Sequence, residues 1–278
     1  MRIIKILVIA IAAIVLVAGI SLRVTSSGKK EGPKIVCNAE GTIEASVNVT
    51  DEELLSFITA SDTQDGDLTA KVVVSRKNFF VEEDTTIITF AVSDSDNNVA
   101  TLRKKLHFND YKPPEIILNN DFVFPSGYTF DLAYYVKAND VIDGDISQFV
   151  KLISSEFINT VGTYPVNLKV SNSFADSTDI TVNAIVTEKY SFNTRIYLST
   201  YITYVDVGAE LDYKSFITDI KDKENRRYDI DDVTIDSSAV NTATPGVYDV
   251  FYRITRGQGL NEEEISMTRL VVVVKGAE

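Results

Sequence analysis

The sequence predicts an all-β chain, three tandem β-sandwich modules following an N-terminal transmembrane helix. Three observations carry that expectation. The N-terminus holds one long apolar stretch, several motifs recur at a fixed offset, and short alternating segments rich in Val, Ile, Thr, Tyr and Phe run throughout. Those residue types suit a pleated, half-buried surface, and no helical pattern is long enough for a crossover between parallel strands.

Ile3 to Ile20 is apolar apart from Lys5. With its flanks the stretch reaches the ~20 residues needed to cross a ~30 Å hydrocarbon core as a helix. A cleaved signal carries a shorter apolar region, about 7–15 residues, and small residues at the cut. The candidate cuts at Val17-Ala18-Gly19 and Gly19-Ile20-Ser21 fit that pattern poorly. Residues 1–22 are read as an uncleaved signal anchor, with cleavage as the alternative. Residues 23–34, centred on Ser26-Ser27-Gly28-Lys29-Lys30-Glu31-Gly32-Pro33, have the composition of a flexible tether.

Beyond the tether the chain repeats itself. Phe57 to Leu68 matches Tyr135 to Ile146 at an offset of 78 residues, and the same offset aligns Val92-Ser93-Asp94-Ser95 with Val170-Ser171-Asn172-Ser173. A more diverged third unit repeats Ser56-Phe57-Ile58-Thr59 as Ser215-Phe216-Ile217-Thr218, and Thr160-Val161-Gly162-Thr163-Tyr164 as Thr244-Pro245-Gly246-Val247-Tyr248. Breaks fall at Asn109–Pro114 and Thr187–Tyr190, giving modules over residues 35–110, 111–188 and 189–278. Ile88–Val92, Val166–Val170 and Tyr248–Ile254 alternate with period two, while Leu270–Val274 is a continuous apolar run that suits a buried closing strand. Several strands per ~80-residue unit read as a small sandwich. The helical hints are single turns near Asp51–Phe57 and Leu211–Ile217.

Charge and composition narrow the function. Net charge is −13, yet residues 1–34 carry six basic residues and one acid, a net of +5, which leaves −18 on the body. Such a body repels phosphate backbones, so no nucleic-acid partner is expected. The lone Cys37 permits no intrachain disulfide and no cysteine-based zinc site, and is read as a small buried hydrophobe near the first strand. His107, the single histidine, sits in a strand-like run far from Cys37, so triad chemistry has little to work with.

The pattern Ala-x-Asp-x-x-Asp-Gly-Asp, with Gly-x-Tyr-x-Val and Val-x-Asp-x-x-x-Asn, resembles bacterial immunoglobulin-like modules first noted in a pesticidal crystal protein. The first unit carries it through Ala60, Asp62, Asp65, Gly66, Asp67, Val92, Asp94 and Asn98. The second carries it through Ala138, Asp140, Asp143, Gly144, Asp145, Gly162 and Tyr164, and the third through Val233–Thr242 and Pro245-Gly246-Val247-Tyr248. The resemblance covers roughly residues 35–276. It implies three immunoglobulin-like sandwiches in an exported protein with adhesive, spacer or glycan-associated roles, and it implies no catalytic residues. The family's usual envelope sorting signal is absent before Glu278, so the N-terminal helix is the visible anchor.

The sharpest chemical feature is a pair of acidic turns, Asp62, Asp65 and Asp67 in one unit and Asp140, Asp143 and Asp145 in the next. Calcium takes six to eight oxygen ligands, and clustered carboxylates around a glycine supply several, which makes these six the candidate metal ligands and calcium the candidate cofactor. The competing reading is a tight turn, in which Asp accepts from backbone amides two residues on and Gly supplies positive φ. Asp94-Ser95-Asp96-Asn97-Asn98 is a second oxygen-rich loop, able to join a cation site only where the fold brings it beside another acidic loop. Tyr134, Tyr135, Tyr197, Tyr201 and Tyr204 are candidates for a sugar-stacking platform. Solvated turn aspartates match a glycosidase pair poorly, so no enzyme is expected.

The sequence therefore predicts a non-enzymatic, single-pass membrane protein whose C-terminal modules are extracellular. Its role is binding or spacing in the bacterial cell envelope, and its partner a wall polymer or a surface protein. The alternatives are an array of carbohydrate-binding modules and a calcium-rigidified adhesin stalk.

Overall fold

A computed structural model of the chain describes residues 31–127, 131–154, 160–188, 194–223, 228–256 and 263–276. The anchor expected over 1–22 and the tether up to residue 30 lie outside the described residues, as do parts of the Thr187–Tyr190 break. Among the described residues no helix is long and apolar enough to cross a membrane.

The described chain is predominantly β, with six sheets that fall into three pairs. The first stretch supplies β1 (Lys34–Cys37), β2 (Ile43–Ala45), β3 (Ile58–Asp62), β4 (Gly66–Asp67), β5 (Val73–Glu82), β6 (Thr85–Ser93) and β7 (Val99–Phe108). They form sheets ordered β1-β3-β4 and β2-β7-β6-β5. The second stretch supplies β8 (Glu115–Leu118), β9 (Val123–Pro125), β10 (Val136–Asp140), β11 (Gly144–Asp145), β12 (Lys151–Ser154), β13 (Gly162–Ser171) and β14 (Ser177–Thr187). Their orders are β11-β10-β8 and β12-β13-β14-β9. The third supplies β15 (Thr194–Leu198), β16 (Ile202–Asp206), β17 (Ile217–Asp222), β18 (Thr234–Asp236), β19 (Gly246–Arg256) and β20 (Glu263–Lys275), ordered β15-β17 and β16-β20-β19-β18.

The first two stretches share one strand plan, which the third follows without a counterpart of β4 and β11, and the 78-residue offset of the sequence is an offset of strands: β3 and β10, β4 and β11, start 78 residues apart. β9 runs parallel to β14 just as β16 runs parallel to β20, while β13–β14 and β19–β20 are long antiparallel pairs.

By packing, the chain divides into two compact units. Of the described residues, one comprises 31–44 with Val49–Asn78 and Ile87–His107; the other comprises Ala45–Asn48, Phe79–Thr86 and the described residues from Phe108 on. In the first, Ile43, Leu54, Ile58, Ile88, Phe90 and Leu106 are all but completely buried. Its α-helical turn, α1 (Asp51–Leu55), begins at a capping box, with Thr50 accepting from the Glu53 amide and Glu53 from the Thr50 amide. His107 is a surface residue whose Nδ1 lies 2.5 Å from Glu44 Oε2. Cys37 is half-buried at the end of β1, not buried as the sequence suggests, because this strand alternates exposed and half-buried positions.

The second unit has two cores. One is built from β8, β10, β13 and β14, with Val166, Leu168 and Val170 pointing inward as the period-two pattern requires. It also takes in Ile202, Val271 and Val273 from the third stretch. The other core gathers Val250, Tyr252 and Ile254 of β19 with Leu270, Val272 and Val274 of β20. β20 therefore buries both of its faces, one in each core, which is why its sequence is continuously apolar where its neighbours alternate.

Candidate functional site

Both acidic turns are built alike. In the first unit the Gln64 and Asp65 amides donate to Asp62 Oδ1 at 2.7 and 3.0 Å, closing the turn on the side chain. Gly66 follows at φ +75, a left-handed conformation that glycine adopts without cost. The Thr69 amide donates to Asp67 Oδ1 at 2.9 Å, and the Ala60 amide to Thr69 Oγ1 at 3.0 Å. In the second unit the Ile142 and Asp143 amides donate to Asp140 Oδ1 at 2.9 Å each, Gly144 has φ +70, and the Ser147 amide donates to Asp145 Oδ1 at 3.0 Å.

The middle aspartate reaches further. The Ser95 amide and hydroxyl donate to Asp65 Oδ2 and Oδ1 at 2.6 and 2.8 Å. The Ser173 amide and hydroxyl donate to Asp143 in the same fashion, at 2.6 and 2.8 Å. The fold thus does bring the Asp94–Asn98 loop beside an acidic turn, and it pins the two together through a serine.

Beyond this point the repeats diverge. In the second unit Asn172 Nδ2 donates to Asp140 Oδ2 at 3.1 Å and to the Tyr111 hydroxyl at 2.8 Å, and Tyr111 donates to Asp176 Oδ2 at 2.7 Å. In the first unit the place of Asn172 is taken by Asp94, which cannot donate when ionised. Asp94 accepts from the Asn98 amide and side chain instead, and Asp62 Oδ2 is buried without a hydrogen-bond partner among the described residues. Among the described residues no group of three or more His, Cys, Asp or Glu side chains is arranged to hold a metal ion. The six residues expected as calcium ligands serve as turn-forming and loop-pinning acceptors.

Their electrostatics follow. Hydrogen bonds from Thr69 hold the Asp67 carboxyl below the usual range, and those from Ser147 do the same for Asp145. A general acid requires the opposite shift. Burial, reinforced by the Asp176 carboxylate, pushes the Tyr111 hydroxyl well above the usual tyrosine range, so it remains a donor.

The five tyrosines proposed for a sugar platform are dispersed in role. Tyr135 is buried edge-on against Phe122 and Phe124, with centroids 5.9 and 5.0 Å away. Tyr134 is exposed and crosses Tyr135 at 76°. Tyr197 is exposed with Lys221 Nζ 6.0 Å from its ring centre. Tyr201 and Tyr204 are partly buried against the core that the second and third stretches share.

No protein-family model matches the chain, and no curated protein matches it. Among solved structures it is similar to the M60 catalytic domain with carbohydrate-binding modules CBM51-1 and CBM51-2 of Clostridium perfringens ZmpB. That match has 14% identity, covers 88% of this chain and 31% of the other, and has a TM-score of 0.23. It is also similar to cadherin domains 1–4 of protocadherin gamma B7 (12% identity, 87% and 76% covered, TM-score 0.21) and to mouse cadherin-23 EC22–24 (11% identity, 89% and 100% covered, TM-score 0.20). The chain spans about a third of the length of the ZmpB structure.

Sequence reasoning missed the serines and the tyrosine that complete these sites. Ser95 and Ser173 were visible as the last residue of the second motif aligned at offset 78. Their thirty-residue separation from the aspartates they bind hid the connection. Tyr111 lay in a segment read as a break between modules.

Proposed function

We propose that this chain is a non-enzymatic binding and spacer protein of the bacterial cell envelope. In this reading three immunoglobulin-like sandwiches project from a membrane anchor at residues 1–22 and contact a wall polymer or a surface protein. The single observation that carries it is the joint between the second and third sandwiches. The Tyr204 hydroxyl donates to the Ile116 carbonyl at 3.0 Å and accepts from the Ile116 amide at 3.1 Å. Lys275 Nζ lies 3.0 Å from Glu115, and Val271 and Val273 enter the neighbouring core. A shared core suppresses the independent domain motion that small polar interfaces permit, which is what a spacer requires.

Immunoglobulin-like character is supported by a corner motif. The Tyr164 hydroxyl donates to the Thr160 carbonyl at 3.1 Å, and Tyr248 to Thr244 at 2.9 Å, each a tyrosine early in a long strand bonding back to the preceding turn. The test is co-sedimentation of the full chain, held in neutral detergent, with purified cell-wall polymer in calcium and in chelator. Pelleting in both buffers is the expected result. Pelleting only in calcium would give the acidic turns a metal role, and no pelleting would remove the wall polymer as partner.

A further inference from the structure

The second compact unit contains a cavity of about 380 Å³ that borders the second acidic turn's network through Tyr111 and Asp176 and is separate from the joint. Its size falls in the range of small-ligand pockets. Three aromatic rings form its floor. Phe80 stacks on Phe174 with centroids 5.0 Å apart and rings inclined by 29°, and Tyr111 meets Phe80 edge-on at 4.8 Å. The floor is fixed from below, since the Phe80 amide donates to the Phe174 carbonyl at 3.1 Å and Tyr111 is held by Asn172 and Asp176. Carboxylates of Glu82, Glu83 and Asp176 stand around it. An aromatic face carries negative potential and attracts a cation placed over it, and carboxylates at the rim add to that attraction.

We propose that this cavity binds a cationic side chain, arginine or lysine, presented by a basic segment of a protein partner. Stacked rings suit the flat guanidinium best, because it can lie over Phe80 while its N–H groups reach the rim carboxylates. Charge complementarity selects this occupant, since the cavity is ringed by acids on a chain of net charge −13. This deepens the binding reading above by giving the partner a chemistry.

The test uses the full chain in neutral detergent and a fluorescein-labelled tetra-arginine peptide, read by anisotropy at physiological salt. Glu82→Gln/Glu83→Gln should weaken binding about tenfold. Glu188→Gln/Glu210→Gln, which removes the same charge elsewhere on the surface, should weaken it less than about twofold. Phe80→Leu, with an unchanged melting temperature, should cost about fivefold by removing the ring face. Equal losses in the two charge pairs would reduce the binding to non-specific attraction and overturn the site. So would Phe80-dependent binding of neutral cellohexaose that ignores the glutamates. A chain that pellets with wall polymer yet ignores the peptide would overturn the pocket and leave the binding reading standing.

Discussion

Arg269 Nη1 lies 3.2 Å from Asp249 Oδ1, and the Arg269 side chain has no exposure to solvent. None of its three guanidinium nitrogens makes a well-aligned hydrogen bond among the described residues. Burial lowers its pKa, while the nearby Asp249 and Asp121 carboxylates oppose that shift. Asp249 in turn accepts from Asn183 Nδ2 at 2.8 Å, and Thr268 Oγ1 donates to Asp121 at 3.0 Å, so the charge sits where the second and third stretches meet. Removing one partner of a buried pair strands the other charge and costs about 3–5 kcal/mol, and the cost is smaller when the charge left behind is Asp249, which keeps its Asn183 bond and some solvent contact, than when it is the wholly buried guanidinium. Asp249→Ala should therefore destabilise the second unit by about that amount in urea unfolding, and Arg269→Met by less than half as much. Equal losses would show that packing alone, not charge, decides this site.

The acidic turns give a second expectation. Asp65 accepts two hydrogen bonds from Ser95, and Asp143 two from Ser173. Bonds to an ionised acceptor are worth about 1.5–3 kcal/mol when shielded and less when exposed, as these are. Asp65→Asn and Asp143→Asn should each cost about 1–2 kcal/mol, and a double-mutant cycle with Ser95→Ala or Ser173→Ala should show strong coupling. The loss should be the same in calcium and in chelator. A larger loss in calcium would restore the metal reading of these turns.

Acid sensitivity follows from the same carboxylates. The carboxyls of Asp67 and Asp145 have folded pKa values below their ordinary ones. Their stabilisation is therefore fully present above the unfolded value, near pH 4, and is lost as pH falls through the folded value. The urea midpoint should hold between pH 7 and about 5, then decline below about pH 4. Asp67→Asn/Asp145→Asn should start from a lower midpoint at pH 7 and decline less steeply. An unchanged acid limb in that variant would remove these two groups from the titration.

Glycine placement yields a graded prediction. A Cβ built on Gly162 would lie 2.7 Å from the Tyr164 hydroxyl, and on Gly246 3.2 Å from that of Tyr248. The tyrosine can swing away only by giving up its bond to the turn, a loss of about 1 kcal/mol. Gly162→Ala should cost about that much, and Gly246→Ala less. Tyr164→Phe should absorb most of the penalty of a subsequent Gly162→Ala change, because the bond is then already gone. Thermal melts of the three variants would decide it, and additive losses would refute the shared mechanism.

What the sequence disclosed and what it hid have physical causes. The period-two segments became β6, β13 and β19 because alternation is enforced locally, by the pleat and one buried face. Asp62 and Asp140 were legible as turn residues because the amides that donate to them lie two and three positions away. Ser95 and Ser173 were not, since their bonds to Asp65 and Asp143 close loops of thirty residues that only the fold specifies. The continuous run Leu270–Val274 correctly announced a buried strand, yet nothing in it could say that its second face belongs to a neighbouring core. Phe80 carried no signal of its own in the sequence, since its stacking partner Phe174 lies nearly a hundred residues away.

That second face leads to the last prediction. Tyr204 is the polar member of the joint, and its hydroxyl satisfies both the amide and the carbonyl of Ile116 on the outermost strand of its sheet. Burial raises the hydroxyl's pKa well above the usual tyrosine range, so it remains a donor at any ordinary pH. Tyr204→Phe keeps the ring against the shared core but leaves two backbone groups of Ile116 without their partner, at a cost of about 1–3 kcal/mol. Exchange of the Ile116 amide should accelerate at least tenfold, while amides of β15 and β17 keep their protection. Uniform acceleration across the sheets of the second and third stretches would mean that they unfold as one cooperative body and that Tyr204 stabilises the whole. Unchanged exchange at Ile116 would mean that water replaces the hydroxyl and that the joint rests on Val271 and Val273 alone.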